Sequence, residues 1–122
     1  MKAGETETLV AVVCRVPLLS EALEAALEGI AGVRWFPAGR GDTDGLLRAL
    51  APDAIVVDTE AEAHQAVPFA LEKHVPLVQV SLRERSLRTF EDGHWHEPDE
   101  DASPESIRNV LVGGIFGREH VR

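Results

Sequence analysis

Asp58 closes the stretch AIVVD at residues 54–58, and the polar, helix-like TEAEAH follows at once. A carboxylate at the end of a short apolar run is placed either to accept a phosphoryl group or to cap the helix that follows. Two other apolar runs end in groups of comparable interest. LVAVVC (9–14) ends in Cys14 with Arg15 next, and VPLVQV (75–80) is followed by Ser81. A guanidinium can fork onto a carboxylate through two parallel hydrogen bonds. A thiol before a helix N-terminus, with an arginine beside it, is a candidate for a lowered pKa. Cys14, Arg15, Asp58, Thr59 and Ser81 meet only if their runs are parallel strands of one sheet, because such sheets bind ligands beyond the carboxyl ends of their strands.

The surrounding pattern supplies that sheet. Leu9–Cys14 is continuously apolar, as a strand covered on both faces should be. Pro17 opens a helix in which Leu19, Leu23, Ala26, Leu27 and Ile30 recur at helical spacing. VRWFP (33–37) is a second strand. Asp42 or Thr43 caps a helix carrying Leu46, Leu47 and Leu50, which Pro52 closes. Ala54–Asp58 is a third strand, and residues 61–74 form a helix in which Pro68 predicts a kink or a restart. Residues 75–80 are a fourth strand. Strands alternating with helices of this length imply βαβ units and a parallel sheet of order 2-1-3-4.

After Ser81 the rhythm breaks. Only LRERS precedes the next strand-like segment, too short for a helical crossover, so that strand runs antiparallel to the fourth or leaves the sheet. Asp92-Gly93 then signals a two-residue hairpin turn. Centred there, the turn sets Glu91 opposite His94, Phe90 opposite Trp95 and Arg88 opposite Glu97, with an aromatic pair and a charge pair on one face. Ser103 and Pro104 start a final helix with an apolar stripe of Ile107, Val110, Leu111, Gly114 and Ile115. The expected fold class is α/β: a three-layer sandwich whose mostly parallel sheet ends in an antiparallel hairpin, with a C-terminal helix. One domain spans residues 9–117, between flexible ends at 1–8 and 118–122.

The strand–helix order, the PDAIVVD stretch ending in Asp58, and Ser81 after the fourth strand resemble the receiver domains of response regulators, a flavodoxin-like family. The likeness covers residues 9–81 and, more loosely, the final helix. It implies that Asp58 matches the phosphoryl-accepting aspartate and Ser81 the hydroxyl residue that senses the phosphoryl group. The acidic pair that holds Mg²⁺ after the first strand is replaced by Cys14 and Arg15, and the lysine after the fifth strand has no counterpart. Mg²⁺ is the main device that offsets the repulsion between a carboxylate and a phosphoryl donor. Arg15 stands where the cation would, and a permanent Arg15–Asp58 pair would leave Asp58 poorly available as a nucleophile.

Other constellations point elsewhere less specifically. The position of Cys14 is similar to that of the reactive cysteine in small tyrosine phosphatases and sugar-phosphotransferase IIB components. Their loops are small and glycine-rich, however, whereas CRVPLLS is bulky and position 20, where the phosphatases need arginine, is Ser20. A buried apolar cysteine is the expectation. His94 and His96 share a strand face without a visible third ligand, so no metal site and no cofactor is expected. GRGDTDG (39–45) matches neither a P-loop nor a dinucleotide fingerprint and reads as a surface turn. The acidic run 97–101 reads as a solvated loop.

Composition bounds the function. Twelve basic against 21 acidic residues give a net charge of −9, which disfavours nucleic acid as a partner. The polar N-terminus has no signal-peptide core, and no apolar run approaches the roughly 18 residues of a membrane span. One cysteine permits no intrachain disulfide and fits a reducing, cytoplasmic setting. Arginine far outnumbers lysine, with abundant Ala, Gly and Leu, as in GC-rich bacterial genomes. The expected function is that of a non-catalytic pseudo-receiver acting through protein–protein contact, on itself as a homodimer or on another protein. Its expected interaction surface is Phe90, Trp95, Ile107, Leu111 and Ile115. The alternatives are a phosphoaccepting receiver or a small-molecule site in the crevice near Cys14, Arg15 and Asp58.

Overall fold

The computed structural model describes residues 8–15, 17–39, 41–81, 83–97 and 102–117, with residues 115–117 described by backbone alone. Residues 1–7 and 118–122 of the expected flexible ends, most of the acidic loop at 97–101 and the side chain of Ile115 lie outside the described residues. Thr8, expected in the flexible end, is instead held by Gly32 N–H donating to its carbonyl at 2.8 Å. The elements are β1 (Leu9–Cys14), α1 (Leu18–Ala26), β2 (Gly32–Pro37), α2 (Thr43–Leu50), β3 (Ala54–Val57), α3 (Glu60–Lys73), β4 (Leu77–Ser81), β5 (Ser86–Glu91), β6 (His94–His96) and α4 (Pro104–Gly117). The strands form one sheet of order β2-β1-β3-β4-β5-β6. The first four are parallel, β5 runs antiparallel to β4, and β6 antiparallel to β5.

The apolar strands are apolar because both their faces are covered. Val10, Val12 and Cys14 point to one side with Leu19, Leu23 and Leu27, and with Ile107 and Leu111 of α4. Ala11 and Val13 point to the other, with Leu47 of α2 and Ala63, Ala66, Phe69 and Ala70 of α3. The expected sheet order and α/β class therefore hold, with α1 and α4 on one face and α2 and α3 on the other.

Several boundaries differ for local reasons. Pro17 is the N-cap rather than the first helical residue of α1, and that helix ends at Ala26, so Leu27 is buried from the turn beyond it. Asp42 caps α2 through Gly45 N–H, and Ala51 closes it in the left-handed region at φ 53°. In α3 the helix runs through Pro68 without a restart. Pro68 is solvent-exposed while Ala66, Phe69 and Ala70 bury the opposite face, so packing outweighs the missing backbone bond.

The hairpin follows its turn chemistry. Asp92 and Gly93 take φ 55° and 80°, as a type I′ turn requires. Glu91 pairs with His94 and Phe90 with Trp95, the expected register. Arg88 does not turn to Glu97: its guanidinium donates to Gln79 Oε1 at 3.0 Å and lies 4.3 Å over the Trp95 ring. A partly buried indole face, together with the Gln79 side-chain carbonyl, competes well with an exposed carboxylate for a guanidinium.

Candidate functional site

Parallel pairing carries the ends of β1 and β3 side by side, Val13 against Val57, so the next residues on each strand meet. Asp58 stands one residue past β3, and its side chain is only 4% exposed. Its Oδ2 accepts from the Arg15 backbone N–H at 3.3 Å and from Arg15 Nε at 3.2 Å. Arg15 therefore pairs with Asp58 as anticipated, but by a different geometry. Two donors converge on one oxygen instead of forking across both, and Arg15 is otherwise 70% exposed. The other oxygen, Oδ1, is buried and has no hydrogen-bond partner among the described residues.

This arrangement disfavours nucleophilic chemistry at Asp58. One oxygen already holds a cation from within the chain, and the other is closed to solvent. A carboxylate needs an accessible oxygen and a counter-charge on the incoming group before it can attack a phosphoryl donor. Among the described residues, no group of three or more His, Cys, Asp or Glu is placed to hold a metal ion.

The remaining crevice residues have structural occupations. Cys14 is fully buried, and its thiol is pushed up to about 12, first by burial, then by the nearby Asp58 charge, with Arg15 opposing. A thiol held so strongly protonated is no nucleophile near neutral pH. Thr59 caps α3, its hydroxyl accepting from Glu62 N–H at 3.1 Å. Ser81 Oγ accepts from Glu84 N–H at 3.3 Å in the turn after β4. The crevice thus joins Arg15 to Asp58, while Thr59 and Ser81 serve their own turns.

A neighbouring buried cluster escaped the sequence reading. Glu62 is 2% exposed, although it sits in the first turn of α3 among residues expected to face water. Its carboxylate accepts from Gly39 N–H at 2.7 Å and from the Thr43 hydroxyl, and Gln65 accepts from Thr43 N–H at 3.0 Å. These bonds hold the loop after β2 and the start of α2 against α3. The signal in the sequence is Thr59-x-x-Glu62, the pattern of a capping box. Only the threonine half of the box forms, because the glutamate is drawn across to the neighbouring loop.

The expected interaction surface is largely interior. Ile107 and Leu111 are fully buried between α1 and the sheet, and Phe90 is buried against Trp95 at 5.2 Å between ring centroids. Each buried aliphatic side chain contributes about 1.5–3 kcal/mol to folding, which accounts for the apolar stripe of α4 without any partner. Of the residues expected there, Trp95 remains partly open, on the outermost strand. An open groove of about 940 Å³ lies at the other end of the sheet from Asp58, lined among others by Leu71, Pro76, Phe90, Val110 and Gly114. A smaller polar depression of about 480 Å³ includes Ser81, Arg85 and Arg88. No helix among the described residues is long and apolar enough to cross a membrane. Comparison with known proteins finds no family model, curated protein or solved structure that matches the chain.

Proposed function

We propose that this chain is a receiver-like module, of flavodoxin-like fold, that does no chemistry and regulates by contacting another protein or a second copy of itself. The observation that carries the reading is the occupied carboxylate. Asp58 stands where a receiver domain accepts its phosphoryl group, yet Arg15 supplies both donors to Oδ2 and Oδ1 is sealed. With a guanidinium in the cation's place and no acid pair beside it, Mg²⁺-dependent phosphorylation has neither a free nucleophile nor a metal seat. A domain built this way keeps one conformation at that end of the sheet, and its output lies in its surface.

The reading predicts no phosphorylation. Incubated with acetyl phosphate and Mg²⁺, the protein should run as a single band on a phosphate-affinity gel, with no beryllofluoride-induced chemical-shift changes at Arg15, Asp58 or Ser81. A retarded band that disappears in Asp58→Ala would replace this reading with that of a phosphoaccepting receiver.

A further inference from the structure

Among the described residues β6 is the outermost strand of the sheet with no strand beyond it, and its three residues are His94, Trp95 and His96. A two-residue turn closes on a hydrogen-bonded pair, here Glu91 with His94, and in an antiparallel ladder the next pair is then not hydrogen-bonded. That next pair is Phe90 with Trp95, so the N–H and C=O of Trp95 point outward from the sheet. Such an edge is a template for another strand. His94 and His96 flank Trp95 on the opposite sheet face, both exposed, with ring centroids 6.5 Å apart. Glu91 faces His94 across the hairpin on that same side.

We propose that β6 pairs antiparallel with β6 of a second copy about a two-fold axis at Trp95, and that the four histidines so gathered bind one Zn²⁺. This deepens the interaction reading above and rests on it. The register follows from geometry. Centring on Trp95 makes it a hydrogen-bonded pair with its own copy, which satisfies both outward groups. It also sets His94 opposite His96 of the second copy, at the roughly 4.5–5.5 Å Cβ separation of facing residues. The axis is normal to the sheet, so all four imidazoles stand on one face. Four nitrogen ligands complete the tetrahedral shell that zinc prefers, whereas one chain offers two and no third donor among the described residues.

The second copy is favoured as occupant by this self-complementarity, since an isologous interface must present the same patch twice. Charge makes the association metal-dependent. Each copy carries −9, so edge pairing alone is opposed, and a divalent cation on the seam offsets that repulsion. Glu91, cross-strand from His94, is placed to accept from the imidazole nitrogen that the metal leaves free.

Size-exclusion chromatography with light scattering, in Zn²⁺ and in EDTA, tests the site. The expected result is a monomer in EDTA and a doubled mass in Zn²⁺ at one ion per two chains. His94→Ala and His96→Ala, both at exposed positions and checked for folding by circular dichroism, should each lose the doubled mass, and His64→Ala should keep it. One ion bound per chain without a mass change, or a zinc dimer that survives either of the first two substitutions, overturns the proposal. Association in EDTA that Trp95→Ala weakens would overturn the metal site while leaving the interaction reading intact. A phosphorylated Asp58 would bear on that reading alone.

Discussion

Removing Arg15 should cost more stability than neutralising Asp58, although both substitutions break the same pair. In Arg15→Ala the carboxylate stays buried with only a backbone N–H at 3.3 Å to compensate it. In Asp58→Asn the amide oxygen still accepts from both donors, the desolvated charge is gone, and the guanidinium left behind is already mostly in water. At 3.2 Å the gross attraction is about 5 kcal/mol at an effective dielectric of 20 and about 1.3 kcal/mol at that of water. Arg15 is 70% exposed, so the net lies well below the first figure. Breaking a buried pair costs about 3–5 kcal/mol and an exposed one about 0–1. This half-buried pair should fall between them, at roughly 1–3 kcal/mol for Arg15→Ala. Asp58→Asn should cost under about 1 kcal/mol, its new amide nitrogen replacing an oxygen that already lacked a partner.

Urea denaturation of both single variants and the double variant, followed by circular dichroism, measures this directly. The double variant should resemble Asp58→Asn, giving a coupling of about 1 kcal/mol or more, above the roughly 0.3–0.5 kcal/mol within which independent sites add. An Asp58→Asn variant less stable than Arg15→Ala would refute the reasoning. So would additive effects, because Arg15 would then not be the cation that compensates Asp58.

Two further outcomes are expected. The unfolded chain releases the Cys14 proton at its ordinary value of 9.0 and the folded chain only near 12, so this stability is intact below pH 9 and falls as pH rises through that window. Relative to Cys14→Ala, the native protein should lose about 1.4 kcal/mol by pH 10, and at pH 8 it should resist thiol reagents until denaturant is added; rapid native labelling would contradict the burial. Gly113 and Gly114 should respond oppositely to alanine. Gly113 has open space around it and should gain about 0.5–1 kcal/mol of helix stability. At Gly114 an added Cβ would meet Pro76 at 3.0 Å and Glu91 at 3.1 Å, and its thermal midpoint should fall below that of Gly113→Ala.

The sheet was legible because its central strands have no polar face to confuse the period, and because Asp92-Gly93 admits essentially one turn. The pairing of Arg15 with Asp58 was legible once strand order was fixed, since adjacent parallel strands must end beside each other. Three features were not. Periodicity counts Glu62 on the wet face of α3, and only the fold brings Gly39 and Thr43 within reach of it, across 23 and 19 residues of sequence. The stripe on α4 announces that Ile107 and Leu111 are covered, but not that α1 covers them. Arg88 has a carboxylate and an indole within range of its chain, and sequence alone does not rank the two.

These features lead to one physical conclusion about the site. A receiver-type centre needs carboxylates that are close, solvated and bridged by a mobile cation. Here β1 ends in a buried thiol that offers a metal no ligand, followed by a guanidinium that is covalently part of the chain. The cation beside Asp58 is a fixed part of the chain, and Glu62 is committed to holding the loop after β2 and the start of α2 against α3. Under the reading proposed above, a centre with a fixed guanidinium in the cation's place does not report on phosphate, and the contact surface of the module lies elsewhere. Among the described residues, the edge at β6, with its outward-pointing backbone groups and two exposed imidazoles, is where the proposed contact with a second copy would form.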